Sequence, residues 1–214
     1  MDIKAALKLY VIPDLEAGAP LSLEEQTERA LLGGATMIQL RNKEMSGRAL
    51  YETAVRLVSI CRRHAVPLIV NDRFDIALAA GADGVHLGNS DLPADVVKKL
   101  VPLGFLIGAT AHSLEEGRAA ENAGADYVGI GAAFPSDTKK GASVLGTEGI
   151  RMVRSALSIP SVAIGGINPS NAKEVLETGV DGIAVVASVV GQKDVVFAAA
   201  CLAEIVSTKK AEED

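Results

Sequence analysis

The chain has 214 residues, of which 49% are hydrophobic, with 21 Gly, no Trp and a formal net charge of -6. This length supports one sizeable core, and the acidic balance excludes general nucleic-acid or membrane-surface binding, so an anionic ligand needs a local cluster of donors. Cys61 and Cys201 stand far apart without metal-ligand spacing and read as free thiols in a reducing cytoplasm; no apolar run reaches the length of a membrane span.

Short apolar runs alternate with longer helical patterns along the chain. The expected strands are Leu9–Ile12, Met37–Leu40, Leu68–Val70, Gly84–Leu87, Phe105–Ile107, Tyr127–Ile130, Ser161–Ile164 and Gly182–Val186. Between the second and third, from Ser46 to His64, the residues Leu50, Ala54, Leu57, Val58 and Cys61 repeat at helical spacing. Apolar strands separated by helices imply a parallel sheet covered by helices. Eight such units predict a single-domain (β/α)₈ TIM barrel over 1–208, followed by a charged tail at 209–214. An internal repeat agrees. Gly33-Gly34-Ala35-Thr36, Gly81-Ala82-Asp83-Gly84, Gly124-Ala125-Asp126-Tyr127 and Gly179-Val180-Asp181-Gly182 precede the second, fourth, sixth and eighth strands. The glycine is expected to end each helix in a left-handed turn.

On this fold, chemistry lies where the strands end, and there the sequence turns polar. Asp14 follows the first strand. In Gln39-Leu40-Arg41-Asn42-Lys43, alternation would send Gln39, Arg41 and Lys43 to one side, as an anion site. Asn71-Asp72 ends the third strand, and Asp91 follows the fourth. The two carboxylates suit a shared hard cation such as Mg²⁺, or, singly, helix caps before Arg73 and Pro93. The 131–146 loop carries Ser136, Asp137, Thr138 and Lys139, either a binding loop or a solvated turn. Gly165-Gly166, with Val186-Ala187-Ser188, occupies the usual phosphate position of the barrel, although a tight turn also needs glycine. His64 reads as exposed, His86 as a core residue or one facing the barrel mouth, and His112 as rim or site. No Ser/His/Asp order or zinc spacing is present.

Taken in order, these motifs resemble the thiamine phosphate synthase family from Tyr10 to about Gln192. They are Gln39-Leu40-Arg41-Asn42-Lys43, Val70-Asn71-Asp72-Arg73, the run from Gly84 to Asp91, the run from Phe134 to Lys140, and Ile164-Gly165-Gly166-Ile167. The resemblance implies a transferase that joins hydroxymethylpyrimidine diphosphate to hydroxyethylthiazole phosphate and releases pyrophosphate. It assigns Gln39, Leu40, Arg41, Asn42, Lys43, Asn71, Thr110 and Lys139 to the pyrimidine diphosphate. Asp72 and Asp91 would bind one Mg²⁺, and Ser136, Asp137, Thr138, Gly166, Val186 and Ala187 the thiazole phosphate. Arg41, Lys43 and Lys139 would assist catalysis. The chain departs from the family pattern at Asn89, Thr110 and Ala187-Ser188, where Gln, Ser and Ser-Ala are usual.

The residues suit that chemistry, because departure of pyrophosphate needs charge neutralisation and the thiazole nitrogen carries no proton to remove. Two other readings compete, a thiazole tautomerase and a silent barrel that senses a phosphorylated ligand. Neither needs the diphosphate grip and metal pair together. The substrates are small molecules; nucleic acid and membrane are excluded as partners, and a homo-oligomer is left open.

Overall fold

A residue just ahead of each even-numbered strand must join that strand to the one before it, and the structure shows how. The computed structural model describes residues 2–136 and 143–208. Its strands are β1 (Leu9–Val11), β2 (Met37–Leu40), β3 (Leu68–Asn71), β4 (Gly84–Leu87), β5 (Leu106–Ala111), β6 (Tyr127–Gly131), β7 (Ser161–Ile164) and β8 (Gly182–Val185). They form a closed parallel barrel in chain order, with β8 paired to β1. A short helix α1 (Ile3–Ala6) precedes β1. The helices between strands are α2 (Leu23–Leu32), α3 (Gly47–Arg63), α4 (Phe74–Ala80), α5 (Ala94–Lys98), α6 (Leu114–Asn122), α7 (Gly146–Ser155) and α8 (Ala172–Leu176), and α9 (Val195–Thr208) follows β8.

The repeat found in the sequence is a latch. Thr36 Oγ1 accepts from the Leu9 N–H at 2.8 Å. Asp83 accepts likewise from Leu68 at 2.9 Å, Asp126 from Ile107 at 2.7 Å and Asp181 from Ser161 at 2.8 Å. In return, the backbone N–H of each latch residue donates to the carbonyl of the same partner. The first N–H of β1, β3 and β7, and the second of β5, is thereby satisfied. Gly34, Gly81, Gly124 and Gly179 have φ between 71° and 96°, the left-handed conformation expected of them.

Strand parity then sorts the side chains. Ile38, Leu40, Leu68, Val70, Val128 and Ile130 face outward into the layer shared with the helices. Tyr10, Met37, Ile69, Leu106, Tyr127, Val162 and Ala184 face inward, and Ala6 and Leu7 close the lower end beneath them. Most strand bounds match the sequence reading within a residue. β5 does not: it runs to Ala111, beyond the expected Phe105–Ile107. The difference comes from Gly108, which looks like a breaker in sequence. A Cβ there would overlap the Tyr127 phenol and lie 2.6 Å from His86 Nδ1, so the strand continues with its side chain deleted to make room.

The helix expected from Ser46 to His64 is present as α3, capped by the Ser46 hydroxyl on the Ala49 N–H at 3.3 Å. Its other end closes with Val66 N–H donating to Cys61 and Ala65 N–H to Arg62, with Ala65 at φ 54°. This is the Schellman arrangement with alanine in the place glycine prefers. Cys61 is buried and Cys201 half-buried, both as free thiols. No helix among the described residues is long and apolar enough to cross a membrane. The expected tail at 209–214 lies outside the described residues.

Two outcomes follow from the backbone. Asp126→Ala should lower unfolding free energy by about 1–3 kcal/mol, because it orphans the Ile107 N–H, while leaving turnover at low temperature intact; urea melts read this. Ala65→Gly should raise stability by up to about 1 kcal/mol by removing the left-handed strain, measured the same way.

Candidate active site

A cavity of about 690 Å³ opens at the carboxyl ends of the strands. Among its walls are Asp14, Gln39, Arg41, Lys43, Asn71, Asp72, Asp91, Thr110, Ser136, Gly166, Val186 and Ala187. The strand ends thus bring together polar residues that the sequence scattered between Asp14 and Ala187. Two residues of the second-strand motif go elsewhere. Leu40 is wholly buried in the outer layer, and Asn42 turns back so that its Oδ1 accepts from the N–H groups of Glu44 and Met45 at 2.9 and 2.8 Å. β2 itself ends at Leu40, so Arg41 and Lys43 reach the cavity from the loop rather than from the strand. Asp137, Thr138 and Lys139 lie outside the described residues.

Asp72 and Asp91 meet at one side of the opening. Neither caps a helix: α4 begins after Arg73 and α5 after Pro93, both without a side-chain cap. Instead the Asp91 carboxylate accepts from the Gly88 N–H at 2.6 Å, which folds the 88–91 turn back on itself. Asp72 is held with φ 62°, its N–H donating to the His86 carbonyl at 2.8 Å. Left-handed backbone at a non-glycine residue costs about 1–3 kcal/mol and persists where the surroundings impose it. Burial first, and then the adjoining Asp91 carboxylate, push the Asp72 carboxyl above its ordinary range; Lys43 acts the other way. Lys43 Nζ is 3.5 Å from Asp72 Oδ2, but that lysine is 59% exposed, so solvent weakens the pair.

Across the cavity floor runs a chain of side-chain hydrogen bonds. Gln39 Nε2 donates to Tyr10 Oη at 2.7 Å, and Tyr10 and Tyr127 hydroxyls are 3.1 Å apart. His86 Nδ1 is 3.2 Å from Tyr127 Oη, and His86 Nε2 is 3.0 Å from Thr110 Oγ1. Burial pushes the His86 imidazole down to about 4, with Asp91 partly opposing. His86, expected either in the core or at the barrel mouth, serves both, since its ring borders the cavity while each nitrogen has a partner. The two tyrosines were read only as strand residues. A phenol on a strand buried on both faces still needs a hydrogen-bond partner, and that was the available signal.

The remaining groups set the rim. His112 Nδ1 lies 3.1 Å from Glu116, whose carboxylate also accepts from the His112 N–H at 2.6 Å. Burial alone would raise the Glu116 carboxyl, yet bonds from the His112 backbone, Asn89 and the His112 ring hold it below the ordinary range. The shorter Asn89 is thus engaged with Glu116. His64, expected to be exposed, is only 25% exposed because it packs against Glu28 at 3.0 Å. On the opposite wall Gly165 and Gly166 take φ of 107° and 62°. Asn171, not singled out in the sequence, braces them by accepting from the Asn168 N–H at 2.8 Å and donating to the Gly166 carbonyl at 3.0 Å. Ser188 Oγ is buried with no hydrogen-bond partner among the described residues.

Known proteins share this architecture and sequence. A family model described as thiamine monophosphate synthase matches residues 9–189. The thiamine-phosphate synthase of Coprothermobacter proteolyticus is 49% identical over 204 residues, covering 95% of this chain and 97% of its own length. That of Pyrococcus furiosus is 48% identical over 195 residues, covering 91% and 92%. A solved thiamine phosphate pyrophosphorylase from Pyrococcus furiosus superposes with a TM-score of 0.90 at 46% identity, covering 97% of this chain and 98% of that one. Agreement of this extent along the whole barrel means that the chain belongs to the thiamine monophosphate synthase family, transferases of thiamine biosynthesis.

Proposed function

We propose that the cavity couples hydroxymethylpyrimidine diphosphate to hydroxyethylthiazole phosphate, giving thiamine phosphate and pyrophosphate, with one Mg²⁺ held by Asp72 and Asp91. The observation that carries this reading is the meeting of those two carboxylates beside Lys43 at the edge of the cavity. Two like-charged oxygen donors in a half-buried position favour a hard divalent cation, and one or two carboxylates, completed by water and phosphate oxygens, are the usual set for magnesium. When bound, the ion neutralises charge on a departing diphosphate.

The chain's own groups do the rest. Arg41, Lys43 and Asn71 take the diphosphate, joined by Lys139. Gln39 and Thr110 take the pyrimidine ring deeper in. The turn at Gly166 and the segment Val186-Ala187 take the thiazole phosphate together with Ser136, Asp137 and Thr138. Leu40 and Asn42 contribute through backbone placement, since their side chains serve the core and a turn. The bond between the methylene carbon and the diphosphate oxygen breaks, its electron pair leaving with pyrophosphate. The thiazole nitrogen then supplies the pair for the new C–N bond. No proton moves in these steps, so no general base is needed; fixed cations and alignment of the acceptor supply the acceleration. Gln39, Arg41, Lys43, Asp72 and Asp91, all on the cavity wall, support this over tautomerase chemistry, which needs no diphosphate grip. Reduced Cys61 and Cys201 suit a cytoplasmic setting.

Purified protein supplied with both substrates should form thiamine phosphate and pyrophosphate only when Mg²⁺ is added. Isomerised thiazole without coupling would select the tautomerase instead, and binding without turnover the sensor. Asp72→Ala and Asp91→Ala should each reduce turnover by at least about 10–100-fold with the fold retained by circular dichroism, as loss of a metal-site group does. The Mg²⁺ concentration giving half the maximal rate should rise as pH falls. The raised Asp72 carboxyl competes for a proton, so the rise should begin at a higher pH than an ordinary aspartate gives; Mg²⁺ titrations at several pH values measure this.

A further inference from the structure

Tyr127 is fully buried, yet its hydroxyl stands between two groups that border the cavity, Tyr10 on one side and His86 on the other. The floor is therefore a single file of five groups, from the Gln39 amide to the Thr110 hydroxyl, with both ends open to a ligand. Each phenol has one hydrogen to give. The His86 ring lies between two hydroxyls, Tyr127 on Nδ1 and Thr110 on Nε2, with no carboxylate on either nitrogen, so the neutral imidazole likewise has one hydrogen to give.

We propose that Tyr127 and His86 are positioning residues for the coupling reaction: the file donates in one direction, from Gln39 through Tyr10, Tyr127 and His86, and so fixes Thr110 as a hydrogen-bond donor toward the pyrimidine ring. The geometry at the first link sets the direction. With Gln39 Nε2 donating to Tyr10, the Tyr10 hydrogen goes to Tyr127 and the Tyr127 hydrogen to His86 Nδ1. The imidazole hydrogen then sits on Nε2 and is given to Thr110 Oγ1, which leaves the Thr110 hydrogen for the cavity. The Gln39 Oε1 is left as an acceptor. With Gln39 Nε2 on Tyr10, the opposite order would make Tyr10 accept from both Gln39 and Tyr127 and strand its own hydrogen in a fully buried place; that order needs the Gln39 amide turned over, with Oε1 toward Tyr10. An aminopyrimidine matches the forward order, because it carries an amino donor and ring-nitrogen acceptors. A ring with a donor where a ring nitrogen should face Thr110 would be refused, since the file cannot reverse at one link alone. The account also explains Gly108, whose missing side chain is the space in which Tyr127 and His86 meet.

This inference rests on the proposed function for the identity of the ring, but the proton order can be tested without any substrate. In ¹⁵N-histidine NMR of the substrate-free protein, His86 should show a bare Nδ1 and a protonated Nε2. Tyr127→Phe should turn it into a mixture of tautomers. In steady-state kinetics Tyr127→Phe should raise KM for the pyrimidine diphosphate about tenfold, the scale of one hydrogen bond, with KM for the thiazole phosphate nearly unchanged. Thr110→Val should do the same, Thr110→Ser should restore the wild-type value, and Tyr127→Phe with Thr110→Val should be no worse than Thr110→Val alone. Protonated Nδ1 in the wild type would overturn the proposal. So would additive losses in the double variant, or a rise in both KM values together with a lower Tm. If no thiamine phosphate forms while the tautomer result holds, the reaction assignment fails and the proton order stands.

Discussion

The latch between each even strand and its odd predecessor is the constraint from which the site follows. Thr36, Asp83, Asp126 and Asp181 each hold an N–H at or next to the start of a strand, and so set which residue of that strand lies level with its neighbour. Side chains alternate along a strand, so a slip by one residue would send every inward group outward. Gln39, His86 and Thr110 face the lumen only because this register is kept. The latches sit at the amino ends of the strands and the cavity at the carboxyl ends, so one end of the barrel holds the other in position.

Within the lumen, polarity changes with depth. Met37, Ile69, Leu106 and Val162 form a dry lower layer over Leu7. Above it comes the file of hydroxyl, amide and imidazole, and above that the ionic rim of Arg41, Lys43, Asp72 and Asp91. Such an order places weakly polar recognition where water is scarce and strong charge where solvent can reach it. Burial penalises a charged form, which is why the His86 imidazole is pushed down at the middle depth, while Lys43 sits higher and is 59% exposed.

Periodicity in the sequence revealed the barrel because buried parallel strands are apolar throughout and their helices are not. The glycine-led repeat revealed the pairing of strands, although the role of its aspartates required the partner N–H groups to be seen. At the site, polar residues that follow an apolar run were legible: Arg41, Lys43, Asn71 and Asp72 all line the cavity. Three kinds of feature were not. Gly108 looks like an interruption until the rings that fill its place are known. Tyr10 and Tyr127 look like core residues because a phenol differs from phenylalanine by one atom. Leu40 and Asn42 were carried along with their motif, and only the direction of each side chain separates them from Gln39 and Arg41.

The left-handed backbone of Asp72 sets selection for durability against selection for turnover. Glycine would suit that conformation best and would make the fold more robust, yet it offers no oxygen. Asparagine would tolerate the same angles but bring no charge. On the proposed role of Asp72, the position is one where natural variation should be narrow for a chemical reason while a generic consensus of turn residues would favour change, and hardening this barrel against heat by relaxing strained angles would there remove the oxygen donor.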